Sequence, residues 1–288
     1  MERTLLITGG SRGLGAHAVR SLRRDHPGLH LVLLTREDCD LTSLDEVRRA
    51  ARRVNEQVGR GDIPPLHGFL GNAGVQLTRA DTATVDGFET TFAVNVLANY
   101  VLLTELEFAA PARIVITGSD THFGDLRHNL GLVPGPKWDR VERLATPGTQ
   151  GKGRRAYATS KLAVIYLVHA LARRLPPGVD IYTHNPGLVP GTGLARDANA
   201  LGRFVFRSVL PLLRATPFAS DPRTAGELLA AAVAGPRPGE SGSYLDRGAV
   251  TASSRESYDE ARSEALLLDL AELVRVPRTS STTPPSRP

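Results

Sequence analysis

The chain carries a single cysteine, Cys39, in 288 residues, so no internal disulfide forms and a disulfide-stapled secreted scaffold is excluded. Lysine is almost as scarce: Lys137, Lys152 and Lys161 are all there are, and the formal charge of +5 therefore rests on arginine. Those arginines are scattered along the chain and aromatics make up only 5%, which excludes the concentrated basic stripe with interleaved aromatics that a nucleic-acid groove needs. No apolar run approaches the ~20 residues that cross a bilayer. The first residues enter a strand pattern with no charged, apolar and small-residue leader before it. These absences predict a cytoplasmic chain without a nucleic-acid partner or a membrane span, and no metal site is assigned.

What is present is enough for one core: 41% of the residues are hydrophobic, and an α/β sheet of this length commonly stays a single domain. The chain opens with the apolar run Leu5-Leu6-Ile7, followed by Thr8-Gly9-Gly10-Ser11-Arg12-Gly13-Leu14-Gly15 and an Ala/Val/Leu-patterned segment to about Arg24. This reads as strand, tight glycine turn and helix, the start of a dinucleotide-binding βαβ unit. Glycine takes positive φ and lets the backbone approach a diphosphate, towards which the helix points its unpaired N–H groups. The next strand, Leu29 to Leu34, ends in Thr35-Arg36 rather than in the acid that would accept a ribose 2′-hydroxyl. Arg12 and Arg36 together predict preference for a 2′-phosphate, which a guanidinium grips through its planar fork.

Only four residues separate Thr35 from Asp40, too few for a helix and a further strand, so that strand is expected to be shortened or absent. Ser43 and Glu46 predict a capping box on a helix over 44–58. The remaining expectations are a strand at 66–70, a helix over about 86–107, a strand at 113–117, a helix over about 155–175, a strand at 179–183, a helix at 224–234, a last strand at 243–246 and a last helix over 256–274. Two long excursions, 120–153 and 188–222, read as substrate lids. In the first, 137–144 is a candidate helix and Trp138 an apolar anchor. Domain limits follow as 1–276, with a disordered Pro/Ser/Thr-rich tail at 277–288.

Tyr157 and Lys161 stand four apart in one predicted helix and so share a face. An ammonium there is expected to lower the phenol's pKa and make it a proton donor and acceptor near neutrality. Ser119 follows a predicted strand, at the sheet edge where doubly wound folds gather ligands.

With these residues in hand the chain resembles the short-chain dehydrogenase/reductase family from residue 4 to about 246. The motifs run in order: Thr8 to Gly15, Asp40-Leu41, Asn72-Ala73-Gly74, Asn95, Ser119, Tyr157 with Lys161, and Pro186-Gly187. Tyr157-Ala158-Thr159-Ser160-Lys161-Leu162-Ala163, Arg113-Ile114-Val115 and Thr192-Gly193-Leu194-Ala195-Arg196 look most like the retinol dehydrogenase and protochlorophyllide reductase branch. The resemblance implies a single-domain Rossmann fold with a parallel sheet and an NADP(H)-dependent reductase of a small carbonyl or alcohol substrate. Reduction of a C=C bond, or a non-catalytic NADP-binding module, are the alternatives.

It further implies that Tyr157 gives the proton, Ser119 holds the substrate oxygen, Lys161 binds the nicotinamide ribose and Asn95 keeps a helix kinked and anchors a water path. The cofactor would touch Thr8, Gly9, Ser11, Arg12, Gly13, Leu14, Gly15, Arg36, Asp40, Leu41, Asn72, Ala73, Gly74, Tyr157, Lys161, Pro186, Gly187, Val189 and Thr192. The last stands one place after the position, Gly191, where the family has its threonine. Pairing of protomers through two long central helices is also implied, against which His169, Arg173 and Arg174 weigh.

Overall fold

A computed structural model describes residues 2–129, 131, 133–189 and 220–275. Apolar strand residues assemble a seven-stranded sheet in the order β2-β1-β3-β4-β5-β6-β7. The strands are β1 (Arg3–Thr8), β2 (Leu29–Leu34), β3 (Leu66–Gly71), β4 (Ala112–Thr117), β5 (Val179–Asn185), β6 (Tyr244–Asp246) and β7 (Ala249–Thr251). All neighbours pair in parallel except β6 and β7, a short antiparallel hairpin turned through Arg247 and Gly248, and β7 was not foreseen in the sequence. Residues 35–43 hold only turns, and β2 forms the sheet edge, only partly buried apart from Leu34.

Helices cover both faces. On one, α1 (Gly13–Asp25) buries Leu14, Ala18 and Leu22, a four-residue repeat that makes one stripe. It packs on the helix Pro222–Ala234 over Leu5, Ile7, Val115 and Tyr182. On the other face, α2 (Leu44–Gly59) begins at Ser43, whose hydroxyl accepts from the Glu46 N–H at 3.4 Å. The Glu46 carboxylate does not close the expected box; it accepts from the Asp40 N–H at 2.8 Å and so ties down the turn after β2.

The helix expected over 86–107 is three pieces: α3 (Thr90–Phe92), a π-helical turn (Ala93–Leu97) and α4 (Ala98–Glu105). The start is fixed by the buried Glu89, whose carboxylate accepts from the Phe92 N–H at 2.7 Å. The π turn shifts the backbone bond of Ala98 to the Ala93 carbonyl, and Asn99 Nδ2 donates to the Asn95 carbonyl at 2.9 Å.

After β4 the chain forms a 3-10 turn (Asp120–Phe123), α5 (Leu126–Asn129) and α6 (Val141–Leu144), so the helix expected at 137–144 is shorter by half. Lys137 lies outside it, with its N–H donated to Thr159 Oγ1 at 3.1 Å. Trp138 packs edge-on against Tyr166, with ring centroids 4.7 Å apart. Tyr166 belongs to α7 (Gly153–Ala172), a largely buried helix that carries Tyr157 and Lys161.

The helix Pro222–Ala234 is α8, and the last, α9 (Glu260–Arg275), follows a 3-10 turn at Arg255–Tyr258. α9 lies along α7: Arg173 and Arg174 pair with Glu264, Arg173 at 2.6 Å, while the Tyr166 hydroxyl donates to the Glu256 carbonyl at 2.8 Å. The arginines that weighed against protomer pairing thus belong to a contact within the chain. Most of the second lid, with Thr192, and the tail at 277–288 lie outside the described residues. No helix of the described residues is long and apolar enough to cross a membrane.

Candidate active site

The strand order reverses at β1, with β2 on one side and β3 on the other, so a crevice opens beyond the C-terminal ends of β1 and β3. The glycine turn enters it. Gly9 has φ +68°, and a Cβ on Gly15 would stand 2.1 Å from the Gly9 carbonyl oxygen and 2.6 Å from Asn72 Nδ2. Only a residue without a side chain lets the turn close this tightly. Asn72 Nδ2 donates to the Gly9 carbonyl at 3.0 Å and Ala73 N–H to Thr8 Oγ1 at 3.1 Å, so the loop after β3 braces the turn after β1.

The N-cap of α1 is Arg12, and no side chain caps the helix start. Such a helix end fits a diphosphate, because its first-turn N–H groups have no intrahelical acceptor. Ser11, Arg12, Gly13 and Arg36 are solvent-exposed, while Leu14 and Gly15 are buried below them. Asp38, just beyond the tip of β2, turns back on the strand: its carboxylate accepts from the Thr35 hydroxyl at 2.6 Å and the Thr35 N–H at 3.0 Å, which holds it below the usual carboxylate range; Glu37 beside it is exposed. Asp40 Oδ1 accepts from the Thr42 N–H at 3.0 Å, and Leu41 packs partly buried against the core.

Towards the other end of the crevice the predicted catalytic side chains come together. Tyr157 and Lys161 sit one turn apart on α7, 4% and 5% exposed, with Lys161 Nζ 5.6 Å from the centre of the Tyr157 ring. Ser119, two residues beyond β4, accepts from the Thr121 hydroxyl at 3.1 Å and lowers the pKa of the Tyr157 phenol. Lys161 Nζ donates to the Thr117 carbonyl at 2.8 Å, which fastens α7 to β4. Asn95, 1% exposed, clamps the loop after β3: Oδ1 accepts from the Val75 N–H at 2.9 Å, and Nδ2 donates to the Val75 carbonyl at 3.0 Å and to Ser160 Oγ at 2.9 Å. Ser160 Oγ in turn donates to the Tyr157 carbonyl at 2.7 Å. The side chain that holds Gly74 and Val75 therefore also holds the helix turn bearing the phenol.

The expected electrostatics need a correction. Lys161 does not dominate the phenol: burial pushes Tyr157 up to about 12, Ser119 acts downward and the charge of Asp120 acts upward. The ammonium is itself enclosed, and burial brings Lys161 down to about 8. Two buried groups in one low-dielectric site are each driven towards their neutral form.

Several residues of this cluster were missed in the sequence. His122 Nδ1 donates to the Ser119 carbonyl at 2.6 Å while Nε2 accepts from the Ser254 N–H at 3.1 Å, so the ring is a neutral strut between Ser119 and the segment before α9. Burial lowers it to about 4 and keeps it neutral. Asn185, which ends β5, orders Pro186-Gly187 by accepting from the Gly187 N–H at 3.1 Å. Its amide also bridges the carboxylates of Asp120 and Asp246, the latter at 2.9 Å. Adjacency to Ser119 and to Pro186-Gly187 was the available signal. Val189, buried against the α1 and α8 side, closes this part of the crevice.

No protein-family model matches the chain. Curated relatives do. It is 31% identical over 295 residues to polyprenol dehydrogenase of Danio rerio, a match covering 90% of this chain and 82% of that protein. The chain belongs to the short-chain dehydrogenase/reductase family. It is also 28% identical to human retinol dehydrogenase 13, over 94% of this chain and 84% of that protein. Among solved structures of the family's fold, the 3-alpha-hydroxysteroid dehydrogenase from Pseudomonas sp. B-0831 complexed with NADH matches at a TM-score of 0.65 and 25% identity, covering 85% of this chain and 96% of that one. This short-chain dehydrogenase/reductase is accordingly a nicotinamide-dependent oxidoreductase.

Proposed function

We propose that this enzyme transfers hydride between NADP(H) and the carbonyl or alcohol carbon of a small organic substrate. The observation that carries the reading is the buried Tyr157 side chain with Lys161 Nζ 5.6 Å from its ring centre, one turn on along α7, and Ser119 acting on its phenol from just beyond β4. In reduction Tyr157 donates its proton to the carbonyl oxygen, and Ser119 holds that oxygen through its hydroxyl. Lys161 places a positive charge beside the phenolate left behind and restrains α7 through Thr117. When bound, the nicotinamide supplies or accepts the hydride.

The glycine turn, the uncapped start of α1 and the bracing amide of Asn72 fit the cofactor's diphosphate. Exposed Arg12 and Arg36 fit a 2′-phosphate, and the engagement of Asp38 with Thr35 takes one of the two acids after β2 out of competition for a 2′-hydroxyl, leaving the exposed Glu37 as the group that would select NAD. Asn95 and Ser160 hold the phenol's helix turn in register with the loop after β3. Segments 120–153 and 188–222 select the substrate, and the site works in the cytoplasm.

The test is to follow the absorbance of NADPH and of NADH with a panel of ketones and aldehydes, and of NADP and NAD with alcohols. Polyprenol and retinol belong in that panel because two relatives are named for them. Consumption of NADPH in preference to NADH supports the reading. Equal or better use of NADH removes the NADP assignment, and no turnover of any carbonyl or alcohol removes the reaction.

A further inference from the structure

We propose that His122 is a positioning residue for Ser119, and that through it the serine-rich turn before α9 is part of the frame that sets Ser119 against Tyr157. This rests on the reading of Ser119 as the group that holds the substrate oxygen.

The backbone alone fixes Ser119 weakly. It stands in extended conformation, φ −170° and ψ 149°, two residues beyond β4, and caps a 3-10 turn of four residues that ends at Gly124 with φ +70°. The backbone bond that closes the turn, from the His122 N–H to the Ser119 carbonyl, is long at 3.5 Å. The ring of the same His122 reaches back and supplies the short bond, Nδ1 donating to that carbonyl at 2.6 Å. This ring is 1% exposed and lies against Phe123 and Tyr244, with centroids 4.1 and 5.1 Å away. An apolar side chain would fill the same space without the cost of burying two ring nitrogens, so the imidazole is worth having only because both are used.

The second nitrogen leads to the far end of the chain. Nε2 accepts from the Ser254 N–H at 3.1 Å, across 132 residues of sequence. A carbonyl can only accept and an N–H can only donate, so the neutral Nδ1–H form is the one that satisfies both partners. The turn presenting that N–H is held by its own serines: Ser257 Oγ donates to the Ser254 carbonyl at 2.6 Å, and Ser253 Oγ lies 2.6 Å from Ser257 Oγ. It is then anchored on α7, where the Tyr166 hydroxyl donates to the Glu256 carbonyl at 2.8 Å and His169 Nδ1 to the Ser257 carbonyl at 3.0 Å. The same helix carries Tyr157, and its Lys161 holds the Thr117 carbonyl at 2.8 Å. Two ties therefore run from α7 to the segment bearing Ser119, one before it through Thr117 and one at its own carbonyl through His122. A displacement of about 1 Å at a reacting group can cost about 10² in rate, so the second tie acts on turnover.

The experiment compares the full-length wild type with His122→Leu, His122→Asn, Ser257→Ala, the His122→Leu/Ser257→Ala double variant and Ser119→Ala, with folding checked by thermal unfolding. Backbone amide exchange over 117–123 is read by mass spectrometry without substrate or cofactor. The kcat is measured on a carbonyl compound that the wild type reduces, and nucleotide affinity is measured separately. In His122→Leu exchange should quicken and kcat should fall by roughly ten- to a hundredfold, while nucleotide affinity stays within about twofold. His122→Asn keeps an N–H near the Nδ1 position and should recover part of that rate. Ser257→Ala, whose lost hydroxyl bonds lie within its own turn, should still quicken exchange over 117–123 and lower kcat by a smaller factor. The double variant should be no slower than His122→Leu, because Ser257 acts through the ring.

A folded His122→Leu protein with wild-type exchange over 117–123 overturns the proposal, as does a double variant whose losses in kcat multiply. Should His122→Leu fail to fold, unchanged exchange over 117–123 in Ser257→Ala overturns it and faster exchange supports it. Ser119→Ala separates this outcome from the reading beneath it. Wild-type turnover in that variant would discard Ser119 as the holder of the substrate oxygen, while the exchange data would still decide whether His122 and the serine turn hold it in place.

Discussion

The two ends of the crevice are built from different materials. At the glycine turn the fit depends on backbone shape: side chains are absent at Gly9, Gly13 and Gly15, and the charged residues, Arg12 and Arg36, stand in solvent. At the Tyr157 end the fit depends on enclosed side chains, and Asn95, Ser160 and Lys161 are all at most 5% exposed. Shape selects a diphosphate through many weak N–H contacts, and exposed charge is screened. Enclosed charge acts at low dielectric, where a single proton alters the whole site.

The sharpest division between the ends is expected from Tyr157→Phe. General acid catalysis contributes about 10² to 10⁴ in rate, so kcat should fall by that factor or more while cofactor affinity, measured by nucleotide fluorescence, stays within about twofold. Near-normal turnover on an identified substrate would show that the proton comes from another group.

Gly15→Ala should strike the opposite end. The added methyl group meets the Gly9 carbonyl at 2.1 Å, so the turn must open or α1 must move. Overpacking of this kind costs about 1–3 kcal/mol, and a backbone contact belongs at the upper end. Thermal unfolding should begin at lower temperature and cofactor binding should be lost. A Gly15→Ala protein with unaltered melting and nucleotide affinity would mean that the turn is not the diphosphate cradle.

A third experiment uses pH. Lys161 falls from 10.5 to about 8 on burial, so its ammonium is fully present below that value and is lost as pH rises through it. Turnover at saturating cofactor should decline above about pH 8, well before Tyr157 near 12 begins to ionise. Lys161→Met should leave a slow enzyme whose profile lacks this limb. Should the limb persist in Lys161→Met, another group carries it.

The smallest effect belongs to the exposed end. Arg36→Ala should weaken NADP binding by roughly tenfold, about 1.4 kcal/mol, and leave NAD binding alone. The loss should shrink at high salt because the pairing is solvent-exposed. Titration of both nucleotides at two ionic strengths checks it, and an equal loss for NAD would assign Arg36 a structural role instead.

The same contrast explains what could be read in the sequence. The glycine turn, the Ser43 cap, the buried strands and the placement of Tyr157 and Lys161 on one helix face were legible because they depend on φ preference, hydrogen-bonding side chains near the backbone and residue period. The π turn at Ala93–Leu97 was not legible in the residue pattern, and only the family resemblance pointed to a kink at Asn95. A helix reads the same on either side of Asn95, and the distortion becomes visible only when Val75 and Ser160 occupy its amide. β7 was missed for a related reason: three exposed residues, Ala249 to Thr251, have no hydrophobic alternation, and pairing with β6 alone makes them a strand.

By itself the sequence determined the parallel strands β1 to β6 with their intervening helices, the glycine turn, and which serine, tyrosine and lysine stand as the candidates for the chemistry. Only the tertiary structure decided their electrostatics. Spacing places an ammonium beside a phenol, but whether that pair exchanges a proton near neutrality depends on how much water the surrounding chain removes. Here α7 is almost wholly enclosed, burial raises the phenol instead of the lysine lowering it, and a carboxylate from the end of β4 joins the balance. Burial sums contributions from β4, β5, β6, α7 and the turn before α9, segments spread from residue 112 to residue 258 of the chain. No local pattern of residues encodes that sum.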